Sequence, residues 1–218
     1  MTEAEVRPRR GGARRAGRRK IKVLEAAGRV IAERGADATR FADVATESAV
    51  PVSTLQYYFG SREDLLVAAF RHASATEIAA LEAELDALDD PWDQLTRIVT
   101  RALDGYRPSS AEAGRLWIES WHFGIRDAEM RADTLRDYAA WRRLVTGAVQ
   151  RGISGGLFTT PQAPERIAVL ALALVDGVGI PLALGDPEVT PDRASADVLA
   201  ALAALLGRDG SGQVQPAR

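Results

Sequence analysis

Apolar positions recur at helical spacing in block after block of this chain, and no stretch sustains the alternation of a half-buried strand. Ile21, Leu24, Ala27, Val30 and Ile31 draw an apolar face on a helix from about 18 to 34, which Gly35 ends. Short helices follow over about 41–48 and 52–59. Gly60 then breaks the chain. Ser61 suits an N-cap, and Glu63 and Asp64 suit the positive end of a helix running to about 88. Asp89-Asp90-Pro91 opens the next helix, with Pro91 in its first turn, and Arg107-Pro108-Ser109-Ser110 is a further break. More helices are predicted over about 110–124 and 127–151, the second ended by Gly152, Gly155 and Gly156. The last two are predicted over 164–183 and 192–206. The expected fold class is all-α.

Residues 167–184 form one long apolar run, and its length approaches that of a membrane span. Asp176 in its middle, Pro181 after it and the absence of a basic flank favour a buried helix of a soluble assembly. No apolar run follows the charged N-terminus as a secretory signal requires. The expected location is the cytoplasm, in association with the nucleoid, with no membrane partner.

Charge changes the picture. Residues 1–22 carry seven Arg and two Lys against Glu3 and Glu5, a net +7, whereas the other 196 residues carry −9. A basic arm on an acidic body points to a polyanion at one end only. Residues 1–17 are read as a disordered basic arm and residues 208–218 as a disordered tail. The chain has no Cys and only two His, His72 and His122, which excludes disulfides, thiolate metal sites and multi-histidine centres. No metal or cofactor is expected.

Residues 41–60, FADVATESAVPVSTLQYYFG, hold two short helices that cannot bury their apolar side chains alone. Val44, Ala45, Val50, Leu55 and Phe59 need a third helix, and the one at 18–34 supplies it. The result is a helix-turn-helix head whose second helix enters a major groove. Val52, Ser53, Gln56 and Tyr57 would lie on the outward face of that helix, Gln56 suited to adenine and Val52 to a thymine methyl, and Thr54 is a further DNA-binding candidate. Tyr57, Tyr58 and Arg62 suit phosphates, and Arg18, Arg19 and Lys20 on the arm side are DNA-binding candidates too.

This stretch resembles the TetR family of bacterial transcriptional regulators. The resemblance runs over 18–70 and is carried by the aromatic pair Tyr58-Phe59 and by Arg62-Glu63-Asp64-Leu65-Leu66 at the start of the fourth helix. Ala49 stands where the family commonly has a turn glycine, Pro51 where it has Ser, Arg40 where it has Thr, and Gln56 where it has Tyr. The resemblance places Thr39 and Arg40 near phosphate at the start of the second helix, with Thr39 a possible cap.

Residues 71–218 resemble, more weakly, the C-terminal domains of the betaine-responsive repressors. The features are a Trp-rich pair of helices, a break at Gly155-Gly156-Leu157-Phe158, and Asp176-Gly177 in an apolar helix.

The last two helices carry more apolar surface than a monomer exposes. Pairing with their copies in a twofold homodimer would bury it, with Leu172, Val175, Asp176, Ile180, Leu199, Leu202 and Leu206 at the interface. Tyr106, Trp117, Glu119, Trp121, His122, Tyr138, Trp141 and Arg142 are the candidates for a small-molecule site. A carboxylate near Trp rings suits a cation, while Arg142-Arg143 suits an anion, and the sequence does not choose.

The domains expected are 18–62 for DNA binding and 63–207 for ligand binding and dimerisation. The function expected is a ligand-responsive regulator, most simply a repressor released from a palindromic operator in double-stranded DNA by an unidentified effector. The alternatives are an architectural DNA-binding protein without an effector and a helical-bundle enzyme. Glu119-x-x-His122 has the spacing of a di-iron ligand pair but lacks the second such pair that site requires. No catalytic residues are assigned.

Overall fold

The structure is a computed structural model that describes residues 10–106 and 111–208. Among these the helices are α1 (Arg10–Arg34), α2 (Phe41–Ser48), α3 (Val52–Phe59), α4 (Arg62–Asp86), α5 (Pro91–Asp104), α6 (Ala111–Arg126), α7 (Ala128–Ser154), α8 (Pro164–Leu184) and α9 (Pro191–Leu205). The expected all-α class holds. Of the expected arm, residues 1–9 lie outside the described residues. Residues 10–17 are helical rather than disordered, because Ala-Arg-Arg-Ala at 13–16 are strong helix formers that extend α1 toward the N-terminus. Residues 209–218 lie outside the described residues. Arg208, taken as the start of the tail, is packed, with its guanidinium 4.7 Å from the centroid of the Trp92 ring.

The chain divides into two compact units between Ala73 and Ser74, inside α4 and not at 62/63. Leu65, Leu66, Ala69 and Phe70 are buried in the stretch of α4 that belongs to the N-terminal unit. Ser61 caps α4 reciprocally. Its hydroxyl accepts from the Asp64 N–H at 3.0 Å and donates to Asp64 Oδ2 at 2.6 Å.

In the N-terminal unit, α1 packs on α2 and α2 on α3. Val23, Ala26, Ala27, Val30 and Ile31 form the buried face of α1, so Ile21, expected inward, is exposed. Val44, Val50, Leu55 and Phe59 are buried as expected. Ala49 makes the turn at φ 54°, ψ 37°, in the left-handed region. Its N–H and that of Val50 satisfy the carbonyls of Thr46 and Ala45 that close α2. A side chain there costs about 1–2 kcal/mol. Ala49→Gly is therefore expected to stabilise the head by about 0.5–1 kcal/mol, after the entropy glycine gains when unfolded. Chemical denaturation checks this, and a loss of stability would contradict it.

In the C-terminal unit, α8 packs chiefly against α7 and α9, and α5 against α7 and α9. The core joins Leu95, Ile98 and Leu103 of α5 with Val145 and Val149 of α7, Ile167 and Val175 of α8 and Leu202 of α9. Asp90 caps α5 through the Trp92 and Asp93 N–H groups, and Asp127 caps α7 through that of Met130. Gly152 does not end α7. The helix continues to Ser154, and the Phe158 ring lies against Gly152, where a Cβ would collide with it.

The packing corrects the expected dimer face. Leu172, Val175, Leu202 and Leu206 are buried in the protomer's own core and unavailable to a partner. Only one edge of each helix remains outward. On α8 this edge carries Val169, Ala173, Gly177, Ile180 and Leu184, and on α9 Ala196, Ala200 and Ala204. Each set repeats every three or four residues, one stripe along one side of a helix.

Candidate DNA-binding face and ligand site

Burying Leu55 and Phe59 of α3 turns the other side of that helix outward. Ser53, Gln56 and Tyr57 are exposed there, Tyr57 at 86%, and Val52, Thr54 and Tyr58 flank them half-buried. Arg18 and Arg19 are exposed along α1, whereas the Lys20 ammonium sits 5.2 Å from the centroid of the Phe59 ring. Arg40 is exposed at the start of α2, its N–H donating to Asp43 Oδ2 at 3.0 Å.

Two expected phosphate ligands are otherwise engaged. Thr39 is fully buried and its hydroxyl donates to the Gly35 carbonyl at 2.8 Å, so it neither meets phosphate nor caps α2. Arg62 turns back on the loop between α1 and α2. Its Nε donates to the Thr39 carbonyl at 2.6 Å, and its Nη2 donates to the Asp37 carbonyl at 2.9 Å and to the Ala36 carbonyl. Nη1 meets Glu63 at 3.1 Å. The rigid guanidinium fork is used as a clamp.

In the C-terminal unit, α6, α7 and α8 bring together three aromatic rings, two of which hydrogen-bond one carboxylate. Trp117 and Trp121, one turn apart on α6, have ring centroids 5.7 Å apart. Tyr138 of α7 lies 5.2 Å from Trp117 and stacks on Trp121 at 6.4 Å with the planes 10° apart. The Tyr138 hydroxyl donates to Asp176 Oδ2 at 2.7 Å, and Trp117 also hydrogen-bonds Asp176. Burial raises the Asp176 pKa above the usual carboxylate range, against the lowering by those two hydrogen bonds. Burial, with the Asp176 hydrogen bond and charge, raises Tyr138 too.

Tyr106, just beyond α5, completes this neighbourhood. Its ring lies over Gly179, one turn along α8 from Asp176, where a Cβ would come within 2.7 Å of it. Its hydroxyl is buried and finds no hydrogen-bond partner among the described residues, and the same is true of the Trp121 indole N–H. Burial and then the Asp176 charge raise the Tyr106 pKa. On the outer side, Trp121 and Tyr138 also wall an open groove of about 420 Å³, together with Gly124, Ile125, Arg131, Thr134 and Leu135.

The remaining candidates lie elsewhere. His122 is exposed, with Nε2 2.8 Å from Arg126 Nη1. Glu119 is two residues on from Trp117, about 200° round the helix. Trp141 packs against the main core, and half-buried Arg142 acts on Tyr138 only through its charge. Asp176, expected at the dimer face, belongs to the aromatic cluster instead, because Tyr138 and Trp117 hold its carboxylate. A lone carboxylate inside an apolar helix was the available signal for it. Nothing in the pattern signalled the groove residues.

A helix-turn-helix unit with one exposed face on its second helix, and a separate helical unit with an aromatic cluster and an open groove, match the two halves of a one-component transcription regulator. Known proteins agree with that class. Residues 23–69 match the model for bacterial regulatory proteins of the tetR family, and residues 91–207 match that for the C-terminal domain of BetI-type transcriptional repressors. The chain belongs to the TetR family, with a BetI-type C-terminal domain.

The HTH-type transcriptional regulator BetI of Brucella anthropi is 29% identical over 184 residues, 83% of this chain and 89% of that protein. A putative transcriptional regulator from Saccharomonospora viridis, solved in complex with choline, superposes with a TM-score of 0.78. It is 25% identical, covering 86% of this chain and 96% of its own. A putative TetR-family regulator from Rhodococcus sp. gives a TM-score of 0.75 at 26% identity, over 87% of this chain and 99% of that one. The protein is thus a ligand-responsive, DNA-binding transcriptional repressor of a family that acts as dimers on operator DNA, and not an enzyme. It belongs among soluble bacterial regulators, which work in the cytoplasm.

Proposed function

We propose that the repressor senses a small quaternary ammonium cation. The observation that carries this reading is the Asp176 carboxylate held by Tyr138 and Trp117, with Trp121 packed on both rings. Aromatic faces attract a cation by about 2 kcal/mol where water is excluded, and a carboxylate beside them adds charge. The choline complex of the Saccharomonospora relative supports the same chemistry. An anion is disfavoured because the group at the centre is itself acidic.

The ligand competes with the Tyr138 hydroxyl for Asp176. Release of Tyr138 is felt at Asp137, the next residue on α7, whose carboxylate hydrogen-bonds Ser74 of α4. From Ser74, α4 runs unbroken back to Arg62 at the edge of the head. Coupling of about 1–3 kcal/mol is typical of such links.

Ser53, Gln56 and Tyr57, with Val52, Thr54 and Tyr58 beside them, read the groove, and Arg18, Arg19 and Arg40 hold phosphates. The outward stripes of α8 and α9, including Ile180 and bordered by half-buried Leu199, form the dimer bundle. The dimer reads half-sites roughly 34–36 Å apart, and its basic face keeps it on the nucleoid.

The test is selection of genomic fragments by the purified protein, footprinting of the bound site, and titration with choline. Protection of a palindrome that choline relieves is expected. Operator-bound protein should bind choline more weakly by the same factor that choline weakens operator binding. Tyr57→Ala should cut operator affinity at least about tenfold while choline binding, measured by calorimetry, is unchanged. A wild-type footprint from this variant would remove α3 from its reading role.

A further inference from the structure

Tyr106 is 4% exposed, and its hydroxyl is buried with no partner among the described residues. An unmade hydrogen bond in such a place is costly, although the ring itself belongs to the hydrophobic core. Its ring rests on Gly179, so α8 presents Asp176 one turn away on the same side. The Asp176 charge acts on the Tyr106 hydroxyl, and Tyr106 acts in turn on Tyr138. One buried donor without a partner among the described residues therefore lies within electrostatic reach of a carboxylate that accepts from Tyr138 and Trp117.

Resting on the cation-sensing reading, we propose that Tyr106 is the specificity-determining residue of the site and selects a quaternary ammonium alcohol. Its hydroxyl donates to the ligand's alcohol oxygen, and that alcohol can donate onward to Asp176. An alcohol satisfies both groups because it is donor and acceptor at once. A plain alkyl arm leaves Tyr106 unpaired. A carboxylate arm accepts from Tyr106 but brings a second negative charge to Asp176. Gly179 serves the same end, since any side chain there would displace the Tyr106 ring.

The test is calorimetric titration of the full-length protein with choline, with its methyl isostere propyltrimethylammonium, and with glycine betaine. The same titrations are run on Tyr106→Phe. Wild type is expected to bind choline roughly 10- to 100-fold more tightly than propyltrimethylammonium, and more tightly than betaine. Tyr106→Phe keeps the ring over Gly179 and loses only the hydroxyl. It should bring choline down to the level of the isostere, leave the isostere unchanged, and melt no lower than wild type. An unchanged choline preference in Tyr106→Phe overturns the assignment, as does tighter binding of betaine than of choline in wild type. A wild-type protein that binds none of the three overturns the cation reading itself, and this inference with it. Binding of all three with equal affinity leaves the cation reading standing and removes Tyr106 from it.

Discussion

Asp176→Asn is expected to weaken choline binding by about 100-fold or more and to leave operator binding without ligand intact. Removing one member of an enclosed charge pair commonly costs about 3–5 kcal/mol, much of it from stranding the other charge. Here the ligand can stay in water instead, so the whole loss falls on its affinity. Asparagine has the shape of aspartate and an oxygen that still accepts from the Tyr138 hydroxyl, which now donates to Oδ2 at 2.7 Å. The fold should survive, and the variant should melt no lower than wild type, because burial already disfavours the charged form of Asp176.

The wild-type protein carries the matching signature in pH. Burial holds the Asp176 pKa above its ordinary value, and a bound cation draws it down. Affinity is therefore full above the raised value and falls as the pH drops through it, before ordinary carboxylates begin to titrate. Calorimetry across that range reads the effect, and Asp176→Asn should flatten it. Affinity that does not change until the ordinary carboxylate range is reached would show that Asp176 does not meet the cation.

Arg62→Met has the second-largest expected effect, on the head rather than the ligand. Three backbone carbonyls, those of Ala36, Asp37 and Thr39, lose a charged donor at once. Hydrogen bonds to charged groups contribute about 1.5–3 kcal/mol each, but water can reach part of this loop, so the expected loss is about 2–3 kcal/mol in total. Operator binding fails because the head loosens, and the loss appears in thermal unfolding without DNA. Arg62→Lys should restore little, since one ammonium cannot fork to three carbonyls. A residue that held phosphate would behave otherwise. Lysine would largely replace it, stability would be unchanged, and the salt dependence of binding would fall by about one phosphate contact. That outcome would return Arg62 to the DNA face.

Arg62 shows where pattern stops being informative. A basic residue at the start of α4 suits a phosphate or a carbonyl cluster equally well. Only the path of the Ala36–Thr39 loop, which returns beneath it, decides between them. Thr39 follows the same logic, because its hydroxyl is used up by a carbonyl four residues back. The exposed face of α3 was legible because burying Leu55 and Phe59 leaves one side of an eight-residue helix free. Periodicity therefore settles it without knowledge of any neighbour.

On its own, the sequence determined an all-α fold, most of the breaks between its helices, a helix-turn-helix at 41–59, and Trp117, Trp121 and Tyr138 as candidates for one site. Each of these is a local matter of spacing, capping and residue type along one helix. Tertiary structure alone decided which side of α8 and α9 faces the protomer's own core. α8 is apolar on nearly every side and α9 over a broad face, so periodicity fixes little of their phase, and Leu172, Val175, Leu202 and Leu206 turned inward while Val169, Ile180 and Leu184 stayed outside. The same packing rotated Asp176 toward α6 and α7, away from the outward stripe. A carboxylate placed by its helix's contacts with two other helices cannot be read from one helix alone, and here that rotation makes the difference between an outward residue and the carboxylate of the aromatic cluster.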